Sequence, residues 1–79
     1  MAIVTSQDIK NAFLKANVDF DINTLQADVT FREQGVDSLD FATLLLSVEE
    51  AFGVSIPDDK MESLQTIDQI CSFVAEHTA

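Results

Sequence analysis

The sequence predicts an all-α fold: a small four-helix bundle with three main helices, one short third helix and a long ordered first loop. Three observations predict it. No segment alternates apolar and polar residues with period 2, as a half-buried strand does. Two stretches open on a capping-box pattern, Thr5 with Asp8 and Thr66 with Gln69. Apolar residues then recur at helical spacing behind each of them. With 79 residues, 47% of them hydrophobic, the chain is expected to form one domain over residues 1–79 with a modest core.

The first helix is expected over Ile3–Ala16, with Ile9, Ala12, Phe13 and Ala16 on one face. Asn17–Asp37 follows without a sustained period. A structureless loop of that length is rare in a small domain. Val18, Phe20, Ile22, Leu25, Val29 and Phe31 are spread through it, so several of them are expected to pin it across the bundle. Gly35 lies near its end, where a positive φ is easily reached.

Asp37 is a good N-cap for the second helix, and Asp40 adds a carboxylate near the positive end. Gly53 is the expected stop after Phe52. Ile56 precedes Pro57 and is pushed extended. Pro57 and Asp58 suit the first turn of a short helix ending near Ser63. In the last helix Ile67, Ile70, Cys71 and Val74 form the apolar stripe, with Cys71 expected as a buried, inert thiol.

The second helix carries more apolar residues than its core face needs. Phe41, Leu44, Leu45, Val48 and Phe52 make a complete stripe at i, i+3, i+4, i+7 and i+11. Each is worth ~1.5–3 kcal/mol when fully buried. Leu39, Ala42 and Leu46 lie on a different face, among Thr43, Glu49 and Glu50. Exposed, they form an apolar strip rimmed by acids, of the kind that marks contact sites. Wedged between neighbours, they are simply more core. Ser38 stands beside this strip in the first helical turn, where free N–H groups and the positive dipole end tolerate a phosphate. On these grounds alone it is a helix-start serine.

Charge and composition exclude several functions. Fourteen acids against four bases give a net charge of −10. The skew is internal, with net −2 over residues 1–33 and net −8 over residues 34–79. Such a field repels nucleic acid and favours basic protein surfaces. No apolar run reaches the ~18 residues of a membrane span. The first residues lack the basic region and long apolar core of a signal peptide, and one cysteine forms no internal disulfide. A cytoplasmic monomer is expected. The stretch Asp19-Phe20-Asp21-Ile22-Asn23-Thr24 imitates half a calcium loop, but it lacks the glycine at position six and the closing carboxylate at twelve. His77 has no second histidine or nearby cysteine to make a metal site or a catalytic pair.

The segment FREQGVDSLDFATLLLSVEEAFGVSIPDD resembles the acyl carrier protein family. Asp-Ser-Leu alone is a weak pattern. It is joined here by Gly35 and Asp40 around it, by Glu49, Glu50, Phe52 and Gly53 at the helix end, and by Ile56-Pro57. The helix order and long first crossover extend the likeness over nearly the whole chain.

The resemblance implies a carrier without catalysis of its own. A phosphopantetheinyl transferase would attach 4′-phosphopantetheine, taken from coenzyme A, to Ser38, with Asp37 and Leu39 as the flanking motif residues. The thiol of that arm would hold acyl groups as thioesters for enzymes of fatty-acid, lipid or polyketide synthesis. Asp40, Glu49 and Glu50 match acidic positions that dock on basic patches of such enzymes. Leu39, Ala42 and Leu46 fall where the family keeps exposed apolar contacts. Thr43 stands where housekeeping fatty-acid carriers have Glu, and Phe41 is bulkier than the usual residue. Both point to a specialised member. An aminoacyl or peptidyl carrier, or an unmodified acidic interaction module, are the alternatives.

Overall fold

Helix start signals and stop signals set the element boundaries, and a shared apolar interior sets their packing. The computed structural model describes residues 4–78. Its helices are α1 (Ser6–Phe13), α2 (Ser38–Phe52), α3 (Asp58–Met61) and α4 (Ile67–Thr78), with a single 3₁₀ turn at Ile22–Thr24. No strand occurs among the described residues. The radius of gyration, 11.3 Å, is close to the roughly 12 Å of a folded chain of this length.

Both capping boxes form. Thr5 Oγ1 accepts from the Asp8 N–H at 3.2 Å, and Asp8 accepts in return from the Thr5 N–H at 3.0 Å. Thr66 Oγ1 accepts from the Gln69 N–H at 3.1 Å, while Gln69 Oε1 accepts from the N–H groups of Gln65 and Thr66. α1 is shorter than the spacing suggested. It tightens after Phe13 into turns in which the Lys15 and Ala16 N–H groups donate to the Ala12 and Phe13 carbonyls, and Leu14 points outward. Ile3, the expected first residue of α1, lies outside the described residues. α3 is likewise a single turn, with Pro57 at its N-cap position and Met61 at its end.

α1 packs against α2 and α4. Ile9, Phe13, Leu44, Leu45, Val48, Ile67, Ile70 and Val74 are fully enclosed between them. Burial at ~1.5–3 kcal/mol for each such side chain makes this cluster the main source of stability. Ser47 is also buried, its hydroxyl donating to the Leu44 carbonyl at 2.6 Å.

The long crossover is ordered. Ile22, Leu25, Phe31 and Val36 bury their side chains in the core, and Val18, Phe20 and Val29 are half-buried. The backbone is tied to the far side of the bundle as well. The Phe31 N–H donates to the Gln65 carbonyl at 2.9 Å, and the Asp68 N–H donates to Ala27 at 3.0 Å. Gln34 clamps the middle: its amide oxygen accepts from the Gln26 N–H, and its amide nitrogen donates to the carbonyls of Gln26 and Val29.

Three core expectations need correction. Phe41 and Phe52 are half-buried, not buried, because they stand in the first and last turns of α2 and each lines an open surface cavity while packing against the core. Cys71 is half-buried at the edge of the α4 stripe. Partial burial, then the nearby Asp68 and Asp8 carboxylates, push its thiol above the ordinary cysteine range, which keeps it a poor nucleophile.

Candidate functional site

Asp37 builds the start of α2. Its backbone is extended, and its carboxylate accepts from the Asp40 N–H at 2.8 Å. A tight turn delivers it there. The Val36 N–H donates to the Phe31 carbonyl at 2.9 Å, and Gly35 takes a φ of 85°, which other residues adopt only with strain. Ser38 is therefore the first helical residue, and its hydroxyl is exposed. With the Asp40 N–H taken by Asp37, the Ser38 and Leu39 N–H groups of this first turn have no acceptors within the helix and can meet an anion.

Ser38 stands at the rim of an open cavity of about 330 Å³, lined also by Phe31, Arg32, Val36, Asp37, Phe41 and Gln65. Phe41, three residues on, lies on the same side of the helix as Ser38. Its ring packs at 5.4 Å from that of Phe31, which in turn meets Phe13 edge-on at 6.0 Å. Phe31 and Phe41 make the apolar floor of the cavity, with Phe13 buried behind them. Arg32 and Gln65 went unnoticed in the sequence, because only the turn over residues 30–35 and the Phe31–Gln65 backbone bond bring them to Ser38.

The second stripe of α2 is exposed. Leu39 retains 75% and Leu46 54% of their full accessibility, and Ala42 is also exposed. This excludes the alternative in which α2 is wedged between two neighbours. Glu50 is exposed on the same face, and Thr43 is half-buried with its hydroxyl donating to the Leu39 carbonyl at 3.0 Å. Asp40 and Glu49 flank the strip and are both half-buried. Partial desolvation, then repulsion from Asp37 and Asp19, raise the Asp40 carboxyl above the ordinary aspartate value. Glu49 has a structural bond: one carboxylate oxygen accepts from the Ile56 N–H at 2.8 Å, after the chain has turned back through Gly53 (φ 67°).

A family model described as a phosphopantetheine attachment site matches residues 9–74. The chain belongs to the acyl carrier protein family. The acyl carrier protein of Syntrophobacter fumaroxidans is 38% identical over 79 residues, covering 96% of each chain. That of Zymomonas mobilis is 47% identical over 45 residues, 57% of this chain and 58% of the other. That of Rubrobacter xylanophilus is 38% identical over 58 residues, 72% of each.

The surroundings of Ser38 fit the group that the family model describes. Ser38 is an exposed serine, and an open cavity lined by Phe31 and Phe41 together with Arg32 and Gln65 begins beside it. Asp21, part of the imitation calcium loop, instead caps the 3₁₀ turn through the Asn23 N–H at 2.9 Å. No cluster of three or more metal-ligating side chains occurs among the described residues. No helix among them is long and apolar enough to cross a membrane.

Proposed function

We propose that Ser38 is the attachment point of the phosphopantetheine arm and that the exposed face of α2 is the surface on which partner enzymes dock. The chain is a carrier rather than an enzyme, and 4′-phosphopantetheine is the prosthetic group of its family. The observation that carries the assignment to Ser38 is its position: an exposed serine hydroxyl at the start of α2, on the rim of the cavity, within the matched region.

The chain's own residues divide the work. Asp37 fixes the start of α2 through the Asp40 N–H and so holds the Ser38 hydroxyl outward. In the loading reaction, run by a phosphopantetheinyl transferase, Ser38 Oγ loses its proton and forms the ester to phosphorus. The bond from that phosphorus to the remaining nucleotide part of coenzyme A breaks. The bound group supplies a terminal thiol that holds acyl groups as thioesters. Leu39, Ala42 and Leu46 offer an apolar strip to a partner, with Thr43 beside them. Asp40, Glu49 and Glu50 provide negative charge for a basic docking patch, which steers association at low ionic strength.

Intact mass after incubation with coenzyme A and a broad-specificity transferase tests the assignment. Wild type gains the mass of one phosphopantetheinyl group, and Ser38→Ala gains nothing while keeping its helicity. An unchanged wild-type mass, under conditions that modify a control carrier, refutes it.

A further inference from the structure

The two sides of the α2 N-terminus differ in charge. Ser38 and Asp40 are two residues apart on a helix and so point about 160° away from each other. Asp40 faces a cluster of like charge, with Asp37 and Asp19 both felt at its carboxyl. Ser38 opens instead onto the cavity whose rim includes Arg32. Arg32 is the only basic residue between Lys15 and Lys60, in a stretch dense with acids. The turn over residues 30–35 places it there, closed by bonds of the Gln34 N–H to Thr30 and Phe31 and of the Gly35 N–H to Arg32. Asp37 lines the same cavity, but its Oδ1 is committed to the Asp40 N–H.

From this arrangement we infer that Arg32 binds the phosphodiester formed on Ser38. The inference rests on the proposed modification of Ser38. A phosphodiester on Ser38 adds one negative charge beside Asp37 on a chain that already carries a net −10. The Ser38 and Leu39 N–H groups of the first turn offset part of that repulsion. Arg32 offsets more of it, because a guanidinium presents a planar fork of donors to phosphate oxygens. Its exposed position makes the contact modest in strength and sensitive to salt. The arm is thereby held at its root over the Phe31–Phe41 floor, so that its first segment starts along the cavity rather than toward the Leu39–Leu46 strip.

The test compares apo and loaded forms of wild type, Arg32→Gln and Arg32→Lys. Loading is verified by intact mass. In wild type the Arg32 Nε–H resonance moves on loading, and the folding equilibrium constant of the loaded form exceeds that of Arg32→Gln by roughly two- to five-fold more than the apo forms differ, at low salt. Arg32→Lys retains part of this difference, and concentrated salt removes it. If the loaded wild type shows an unmoved Arg32 resonance and the same loaded-to-apo stability ratio as Arg32→Gln, the Arg32 contact is overturned while the Ser38 assignment stands. If no variant, including wild type, gains mass while a control carrier does, both are overturned.

Discussion

Glu49 and Glu50 are adjacent acids on α2, yet the structure predicts opposite results for their removal. Glu49 is half-buried, and its carboxylate accepts from the Ile56 N–H at 2.8 Å. Ile56 is itself buried, so without Glu49 that N–H lacks its acceptor away from bulk water. A hydrogen bond to a charged acceptor contributes ~1.5–3 kcal/mol, and the partial exposure of Glu49 reduces this to about 1–2 kcal/mol. Glu49→Ala is therefore expected to lower the melting midpoint by roughly 4–16 °C at 4–8 °C per kcal/mol for a domain of this size. Glu50→Ala removes an exposed charge and is expected to stay within ~0.5 kcal/mol of wild type. Thermal and urea unfolding measure both, and hydrogen exchange at the Ile56 amide shows where the loss falls: Glu49→Ala speeds it, Glu50→Ala does not. Equal stability of the two variants, or an unchanged Ile56 amide in Glu49→Ala, refutes the structural role of Glu49. The consequence for docking is practical. Slower transfer at low salt in Glu50→Lys reports the surface, whereas the same effect in Glu49→Lys mixes docking with a loosened α2–α3 turn.

Other substitutions probe the crossover, the two faces of α2 and the Asp40 carboxyl. Gln34→Ala removes three hydrogen bonds that clamp the crossover and is expected to cost about 1.5–3 kcal/mol in urea unfolding, with faster exchange at the Gln26 amide. Leu45→Ala and Leu46→Ala separate the two faces of α2: the first is expected to cost about 2–5 kcal/mol, the second under ~0.5 kcal/mol while slowing transfer to partner enzymes. Asp40 has a raised carboxyl value, so its ionised form is disfavoured on folding. Its contribution is fully present below the ordinary aspartate range and is lost as pH rises through the raised value. The stability of Asp40→Asn relative to wild type is therefore expected to be greater at pH 7 than at about pH 3, and unfolding midpoints at the two pH values read it directly.

The elements that the sequence announced were those with local causes. Thr5 with Asp8, Thr66 with Gln69, Asp37 and Gly53 each act within a few residues of themselves, and all four features form as their residue types dictate. The spare stripe on α2 was also legible, since periodicity reports direction around a helix. Depth along the helix was not. Phe41 and Phe52 point inward as expected, but they lie at the helix ends and remain half-buried. The family likeness drew attention to Ser38, while Arg32 and Gln65 depended on a loop path that no period encodes. Glu49 was misleading in a different way: a glutamate at the edge of an acidic face looks solvated until the chain reverses at Gly53 and returns the Ile56 N–H to it.

Under the proposed roles, position around α2 separates partner docking from cargo handling. Leu39, Ala42, Leu46 and Glu50 share one face, and Phe41 points to nearly the opposite one, toward Phe31. Ser38 projects between them. A partner seated on the strip would therefore cover that side of α2 without closing the cavity beside Ser38, and the arm beyond its held root would be free to turn from cavity to partner. A carrier with serine, strip and cavity on one face would have to release its partner before moving its cargo. On the proposed function, Leu46→Ser is then expected to weaken partner transfer without altering the Arg32 response to loading, while Arg32→Gln does the reverse. Coupling between the two, measured as non-additive transfer rates in the double variant, would contradict this separation.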